Sequence, residues 1–248
     1  ICEAACIPYV GADAYTQAVC NDKFLSKSLC ASAGLTTAKG ILLTTSDDLR
    51  LMETCVYPVV IKPNFQGSSL GIDDQCLAHS FEAAESAIQR IVKHFGWPVL
   101  CERFVPGREV SICVMGNHLS KPEMAMLSWS LNNDPSYLDE RLFSYSLKYL
   151  ADVRFSPNFL GEPEGAVKRS CERLFNMLDK VEVLRIDCRL TQNGFVVIEL
   201  SPDLDLRPDG EVAVVFGQRL GSYRNFLKQL LLNSFKRAGR KAPMHYES

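Results

Sequence analysis

The strongest constraint on this chain is a pair of strand-like runs, residues 183–190 and 195–200, joined by Gln192-Asn193-Gly194. Side chains alternate faces along a strand, so Arg185, Asp187 and Arg189 share one face while Leu184, Ile186, Cys188 and Leu190 take the other. By the same rule Glu199 and Ser201 share a face. A three-residue hairpin loop with Gly194 in the left-handed position pairs Thr191 with Phe195, Asp187 with Glu199 and Arg185 with Ser201. A two-residue Asn-Gly loop would instead set Asp187 against Leu200 and send the carboxylates to opposite faces. Two carboxylates directly opposite repel each other. A divalent cation removes that conflict, and hard oxygen ligands suit magnesium bridging substrate phosphates. Solvation of the carboxylates, or pairing with Arg185 and Arg189, is the alternative.

Composition narrows the function. The chain of 248 residues is 47% apolar and 23% charged, which suits one large or two small globular domains and excludes disorder, collagen and coiled coil. Lys plus Arg number 27 against 29 Asp plus Glu, so no dedicated nucleic-acid surface is expected. Apolar runs such as residues 195–200 and 58–61 are far shorter than the ~20 residues that cross a bilayer, so no membrane partner is expected. The ten cysteines stand singly, without a CxxC, and the four histidines are scattered, which argues against a structural zinc site. They read as small core hydrophobes in a reducing, cytoplasmic setting. No signal peptide is visible at Ile1-Cys2-Glu3-Ala4, and the opening without Met suggests a piece of something longer.

Strand-like and helix-like segments alternate. Leu25, Leu29, Cys30 and Ala33 recur at helical spacing before Gly34, and residues 57–63 form a β-branched run. Ser80 caps a helix whose apolar positions Ala84, Ile88, Ile91, Val92 and Phe95 fall on one face and which stops at Gly96. Residues 99–105 and 109–115 read as paired strands about the turn dipeptide Pro106-Gly107. Residues 128–157 read as a long loop. Val167, Cys171, Leu174, Phe175 and Leu178 make another helix, and Phe226, Leu227, Leu230 and Leu231 the last one. The basic end, residues 236–241, reads as a solvated helix terminus. The mixture, with strands linked by hairpins, predicts an α+β fold.

Three further segments carry chemistry. Lys62-Pro63-Asn64-Phe65-Gln66-Gly67-Ser68-Ser69-Leu70-Gly71-Ile72 reads as strand, lysine, Gly/Ser loop and second short strand. Glycine lets backbone N–H groups approach a polyanion, and lysine supplies a point charge for a phosphate. A hairpin loop with a chance lysine is the plainer alternative, and no GxxxxGK[ST] loop exists here. Glu102-Arg103-Phe104-Val105-Pro106-Gly107-Arg108-Glu109 offers carboxylates to an exocyclic amine or a ribose hydroxyl, and a strand edge to a purine. Tyr145-Ser146-Leu147-Lys148-Tyr149 is a basic, aromatic cluster that on its own reads as a mobile surface loop.

In this order, together with Ile7-Pro8-Tyr9-Val10-Gly11 and Asn21-Asp22-Lys23, these segments resemble the ATP-grasp ligases, specifically the D-alanine–D-alanine ligase group. The resemblance implies that two α+β subdomains grip ATP between antiparallel sheets. Residues 1–15 would be the remnant of the passage from an N-terminal domain, 16–105 the central subdomain and 106–248 the C-terminal one. It implies that Lys23, Lys62 and Lys148 contact ATP phosphates, that Glu102 with the backbone of Phe104 and Val105 holds adenine, and that Glu109 holds the ribose. Asp187, Glu199 and Ser201 would hold magnesium. Arg185 would stabilise an oxyanion, with Ser68 and Tyr149 facing the substrate and Ser68 also near ATP. The implied activity is peptide-bond formation between two amino acids through an acyl phosphate, in peptidoglycan and cell-wall synthesis, with a homodimer as candidate assembly.

The sequence departs from that pattern at several places. Ser201 stands where the family usually has Asn, and Gln66 where it has Glu. Residues 203–210 differ from its Gly- and Ser-rich acceptor loop, and their extra carboxylates disfavour an acceptor carboxylate unless Arg185 or Arg207 offsets them. The family's N-terminal α/β domain, which supplies a carboxylate near the first amino acid's ammonium, is not in this sequence. Two alternatives therefore stand beside the ligase: a relative joining other amino acids in specialised metabolism, and a nucleotide-binding protein without catalysis.

Overall fold

The computed structural model describes residues 1–117, 120–178 and 180–243. In chain order the elements are α1 (Ala14–Asn21), α2 (Lys23–Ser32), β1 (Gly40–Leu43), β2 (Val59–Pro63), β3 (Leu77–Ala78), α3 (Phe81–Phe95), β4 (Val99–Arg103), β5 (Arg108–Asn117), β6 (Ser120–Leu131), α4 (Tyr145–Tyr149), β7 (Phe155–Gly161), α5 (Gly165–Met177), β8 (Val183–Thr191), β9 (Gly194–Ser201), α6 (Glu211–Arg219) and α7 (Tyr223–Arg237). The strands form two antiparallel sheets, ordered β1-β4-β2-β3 and β7-β6-β5-β8-β9. The α+β class expected from sequence is the class observed.

Each sheet is covered by the helices its apolar pattern demands. Ser80 caps α3 by accepting from the Ala83 N–H, Gly96 ends it at φ 74°, and Ala84, Ala87, Ile88 and Ile91 are buried against the smaller sheet. Truncating Ile88 to Ala there removes packing worth ~2–5 kcal/mol. The larger sheet packs one face against α1, α2 and α5 through Val19, Cys20, Cys30, Cys171, Leu174 and Phe175. Its other face meets α6 and α7 through Val212, Phe216, Phe226 and Leu230. Seven cysteines are buried and all ten are free, the small-hydrophobe role expected of most of them. Among the described residues no helix is long and apolar enough to cross a membrane.

Four readings need correction. First, β4 and β5 do not pair about Pro106-Gly107, because β4 lies in the smaller sheet and β5 in the larger. Residues 104–107 carry the chain from one sheet to the other. Gly107, at φ 137°, passes so close to β8 that a Cβ would come within 2.5 Å of the Leu190 carbonyl oxygen. Second, β6 runs through residues 128–131 and β7 takes residues 155–157, so the loop is confined to 132–154 and contains α4. Third, the Gly/Ser loop is not followed directly by a strand. Ser68, Ser69 and Gly71 all have positive φ, and the partner strand β3 comes later, at Leu77–Ala78. Fourth, the basic C-terminal segment is not all solvated: Arg237 is buried against Glu182, Nε to Oε1 2.9 Å, and donates to the Tyr9 and Gly11 carbonyls.

Glu182, wholly buried, also accepts from the Gly11 N–H at 2.8 Å, so one ion pair stitches residues 9–11 to α7. Burial pushes its carboxyl from 4.5 to about 7, against the opposing pull of Arg237. A carboxyl raised in the folded state binds more protons folded than unfolded between those values, so stability falls as pH rises through that window. The expected loss is on the order of 3 kcal/mol between pH 4.5 and 7. Urea titrations of Glu182→Gln should show this part of the pH dependence flattened relative to the parent chain.

Candidate functional site

Asp22 ends α1 and caps α2 by accepting from the Leu25 N–H at 3.0 Å. Asn64, at the end of β2, donates to Asp22 at 2.8 Å and accepts from the Phe24 N–H, which locks α2 onto the smaller sheet. Lys23 therefore opens the helix and Lys27 lies one turn further on the same face. Cations at a helix N-terminus oppose its dipole, and these two are buried as well. Each is balanced by a carboxylate: Lys23 meets Glu199 at 2.6 Å and Lys27 meets Glu102 at 2.8 Å.

The hairpin of β8 and β9 achieves the expected juxtaposition by a different route. Its turn is Gln192-Asn193, with Thr191 opposite Gly194 and Leu190 opposite Phe195, which corrects the three-residue loop. Cys188 then faces Val197 while Asp187 faces Glu199, leaving Ile198 as the extra residue of a bulge. Without it the register from the turn would set Asp187 against Ile198, on the wrong face for both carboxylates. The Lys27 ammonium donates to the bulge carbonyls, Ile198 at 3.0 Å and Val197 at 3.4 Å. Arg185 faces Ser201 as expected.

These elements surround one cavity between the sheets. Its wall contains Lys23, Lys62, Glu102, Phe104, Val105, Glu109, Lys148, Arg185, Asp187 and Glu199. Of the residues singled out in the sequence, Ser68, Tyr149 and Ser201 are not in that wall. Ser68 is exposed beside Ser69, which does line the cavity, and Tyr149 is exposed against the Tyr145 ring. Ser201 sits one step behind, donating to Asp187 at 3.3 Å.

At the linker end, Glu102 is 3% exposed and lies between Lys27 and Lys62. Burial alone would raise its carboxyl, but the two ammonium groups outweigh that and hold it below its ordinary range. Burial pulls the Lys27 ammonium down in turn. The Phe104 N–H is already bonded to the Pro58 carbonyl at 3.0 Å, so Phe104 has its carbonyl rather than its N–H to offer a ligand. Glu109 accepts from Arg189 at 3.0 Å, while burial raises its carboxyl. Arg189 also donates to the carbonyls of Gly107, Leu138 and Arg141, fastening the linker and the 132–154 loop to β8.

At the other end, Lys23 also donates to the Gln66 carbonyl at 2.5 Å, and Lys148 lies over the Phe143 ring at 4.6 Å. The loop bearing Lys148 is tied over the cavity: Ser69 Oγ donates to the Phe143 carbonyl at 2.8 Å and the Tyr145 N–H to the Ile72 carbonyl. Asp187 accepts from Ser111 at 3.1 Å and takes both Arg185 Nε and Nη2 on its two oxygens, at 2.7 and 2.9 Å. Burial opposes ionisation of Asp187, but Arg185 prevails and lowers its carboxyl. The opposed carboxylates are thus each neutralised internally, Asp187 by Arg185 as the alternative reading allowed, and Glu199 by Lys23 rather than Arg189.

No three His, Cys, Asp or Glu side chains converge to form a self-sufficient metal cage among the described residues. Two carboxylates on facing strands plus a hydroxyl do fit magnesium that completes its shell with phosphate oxygens and water. Sequence reasoning missed Lys27, Trp129 and Glu211, and the pairing of Arg189 with Glu109, because these partners are remote in the chain. The available signal for Lys27 was its i+4 spacing from Lys23.

Two antiparallel sheets closing on a cavity of lysines and carboxylates define an ATP-grasp fold. Solved structures agree: this chain superposes on D-alanyl-alanine synthetase A from Vibrio cholerae with TM-score 0.75 at 20% identity, covering 95% of this chain and 71% of that one. The VanG D-Ala:D-Ser ligase of Enterococcus faecalis gives TM-score 0.73 at 22% identity, covering 94% and 66%. The family described as D-ala D-ala ligase C-terminus matches residues 29–202, and the chain belongs to that family. The D-alanine–D-alanine ligase of Bifidobacterium animalis subsp. lactis is 29% identical over 212 residues, which span 77% of this chain and 56% of that protein. The match thus covers little more than half of that relative.

Lys27 is expected to hold both the linker carboxylate and the bulge. Lys27→Met should lower stability by ~1–3 kcal/mol, the cost of leaving the bulge carbonyls of Val197 and Ile198 without their donor, since Glu102 keeps Lys62. Glu102→Gln in the same background should lower stability further, because the buried Lys62 then loses its carboxylate, as urea titrations of the two single variants and the double variant would show.

Proposed function

We propose that this chain is the nucleotide-gripping part of an ATP-dependent carboxylate–amine ligase that joins two amino acids through an acyl phosphate, as the names of its relatives suggest. The observation that carries this reading is the meeting of Lys23, Lys62 and Lys148 with Asp187 and Glu199 in one cavity between the sheets. A carboxylate is a poor acyl donor. Its oxygen attacks the γ-phosphorus, ADP leaves, and the resulting acyl phosphate is attacked by an amine, which expels phosphate and gives the amide.

The order of residues along β8 sets the layout. Arg189 and Glu109 mark the ribose position beside the linker, with Glu102 and the Phe104–Val105 backbone serving adenine. Asp187 lies two residues on and Arg185 two more, about 13 Å of strand from Arg189. Phosphates drawn in by Lys23, Lys62 and Lys148 would release Lys23 from Glu199 and Lys62 from Glu102, exchanging one ionic partner for another. Asp187, Glu199 and Ser201 would hold magnesium, which when bound neutralises charge on the phosphoryl group in transfer. Arg185 has an N–H left for the tetrahedral oxyanion. The 132–154 loop excludes water that would hydrolyse the acyl phosphate. Ser68 and Tyr149, next in sequence to the lining residues Ser69 and Lys148, would meet the substrate.

ADP release by the complete protein, assayed with ATP, magnesium and a panel of amino acids and amino-acid amides, tests this function. Glu199→Gln should cut kcat at least ~100-fold, about 2.7 kcal/mol of transition-state stabilisation. No ADP release with any amino acid or amino-acid amide, or full activity in that variant, would refute the reading.

A further inference from the structure

One carboxylate in the cavity wall has no part in this mechanism. Glu211 is the first residue of α6, placed by Gly210, where a Cβ would come within 2.4 Å of the Asp205 carbonyl oxygen. Its Oε1 accepts from the Trp129 indole N–H at 2.9 Å, and its Oε2 pairs with Arg185 Nη1. Arg185 already spends Nε and Nη2 on Asp187, so one guanidinium answers two carboxylates. The side chains of Arg185 and Glu211 are 19% and 18% exposed, so water screens their charges poorly. The preceding loop adds Asp203, Asp205 and Asp209, with Arg207 held by Asp205.

Resting on the ligase reading, we propose that Glu211 selects the acceptor: an amine whose neighbouring carboxyl group is absent or already bonded as an amide, rather than a free amino acid. The amine must reach the acyl carbonyl beside Asp187, so its substituents lie against Arg185 and Glu211. A free carboxylate there needs a cation, and once Asp187 turns to the metal ion the charge of Arg185 is still balanced by Glu211. The remaining Arg185 N–H serves a transient oxyanion but does not offset a resident anion beside Glu211. A carboxamide in the same place carries no charge, and its N–H groups donate to Glu211.

The test uses the complete protein with ATP, magnesium and a panel of amino-acid donors. Each reaction receives equal concentrations of alanine and alaninamide, in either enantiomer, and mass spectrometry resolves the products. The amide-terminated product should exceed the acid-terminated one at least about tenfold. Glu211→Gln, and independently Glu211→Ser, should shift that ratio at least about tenfold toward the acid. Because the ratio is internal to each reaction, partial loss of folding or turnover does not disturb it. A parent ratio favouring the free acid, or a ratio that neither variant moves, overturns the proposal alone. No ATP-dependent product with any donor and acceptor overturns the ligase reading and this proposal with it.

Discussion

The centre of the molecule depends on one extra residue in β9. Ile198 has no partner on β8, and by being skipped it turns Glu199 onto the face of Asp187. A bulge leaves ladder carbonyls to be satisfied elsewhere, and here the Lys27 ammonium takes them. The same ammonium holds Glu102, in the other sheet, at 2.8 Å. One buried cation therefore fixes both the register of the hairpin and the position of the linker carboxylate.

Around that point the cavity is a set of exchangeable ion pairs. Lys23 with Glu199, Lys62 with Glu102 and Arg185 with Asp187 and Glu211 leave few bare charges in the ligand-free protein. Burying a charge without a partner costs several kcal/mol, so these pairs keep the empty cavity folded. On the proposed function, a triphosphate with its cation would bring both signs of charge and replace the partners one for one. On that reading the same groups would serve both stability and recognition.

Much of this was legible in the residue pattern, and the failures have physical causes. The period-two alternation put Arg185, Asp187 and Arg189 on one face, and the partners expected for Asp187 and Arg185 are observed because the bulge at Ile198 offsets the different turn. The turn assigned to Gln192-Asn193-Gly194 was wrong, because a bulge several residues away compensates the register and has no local signature. Pro106-Gly107 has the chemistry of a hairpin turn, yet β4 and β5 find their partners in different sheets. Helix α6 went unread because its apolar residues Val212, Ala213, Val215 and Phe216 follow an acidic, Pro-containing loop. Lys27, Arg189 and Glu211 act through partners 75, 80 and 26 residues away, and no local pattern encodes such distances.

The central claim is that Asp187 and Glu199 trade their internal cations for a metal ion shared with a triphosphate. Anomalous diffraction from crystals grown with manganese and a non-hydrolysable ATP analogue tests it directly. The account predicts an anomalous peak between the two carboxylates and the analogue's phosphates, with Lys23 drawn from Glu199 to a phosphate. Bound nucleotide with the Lys23–Glu199 and Arg185–Asp187 pairs intact, and no peak between the carboxylates, would contradict it.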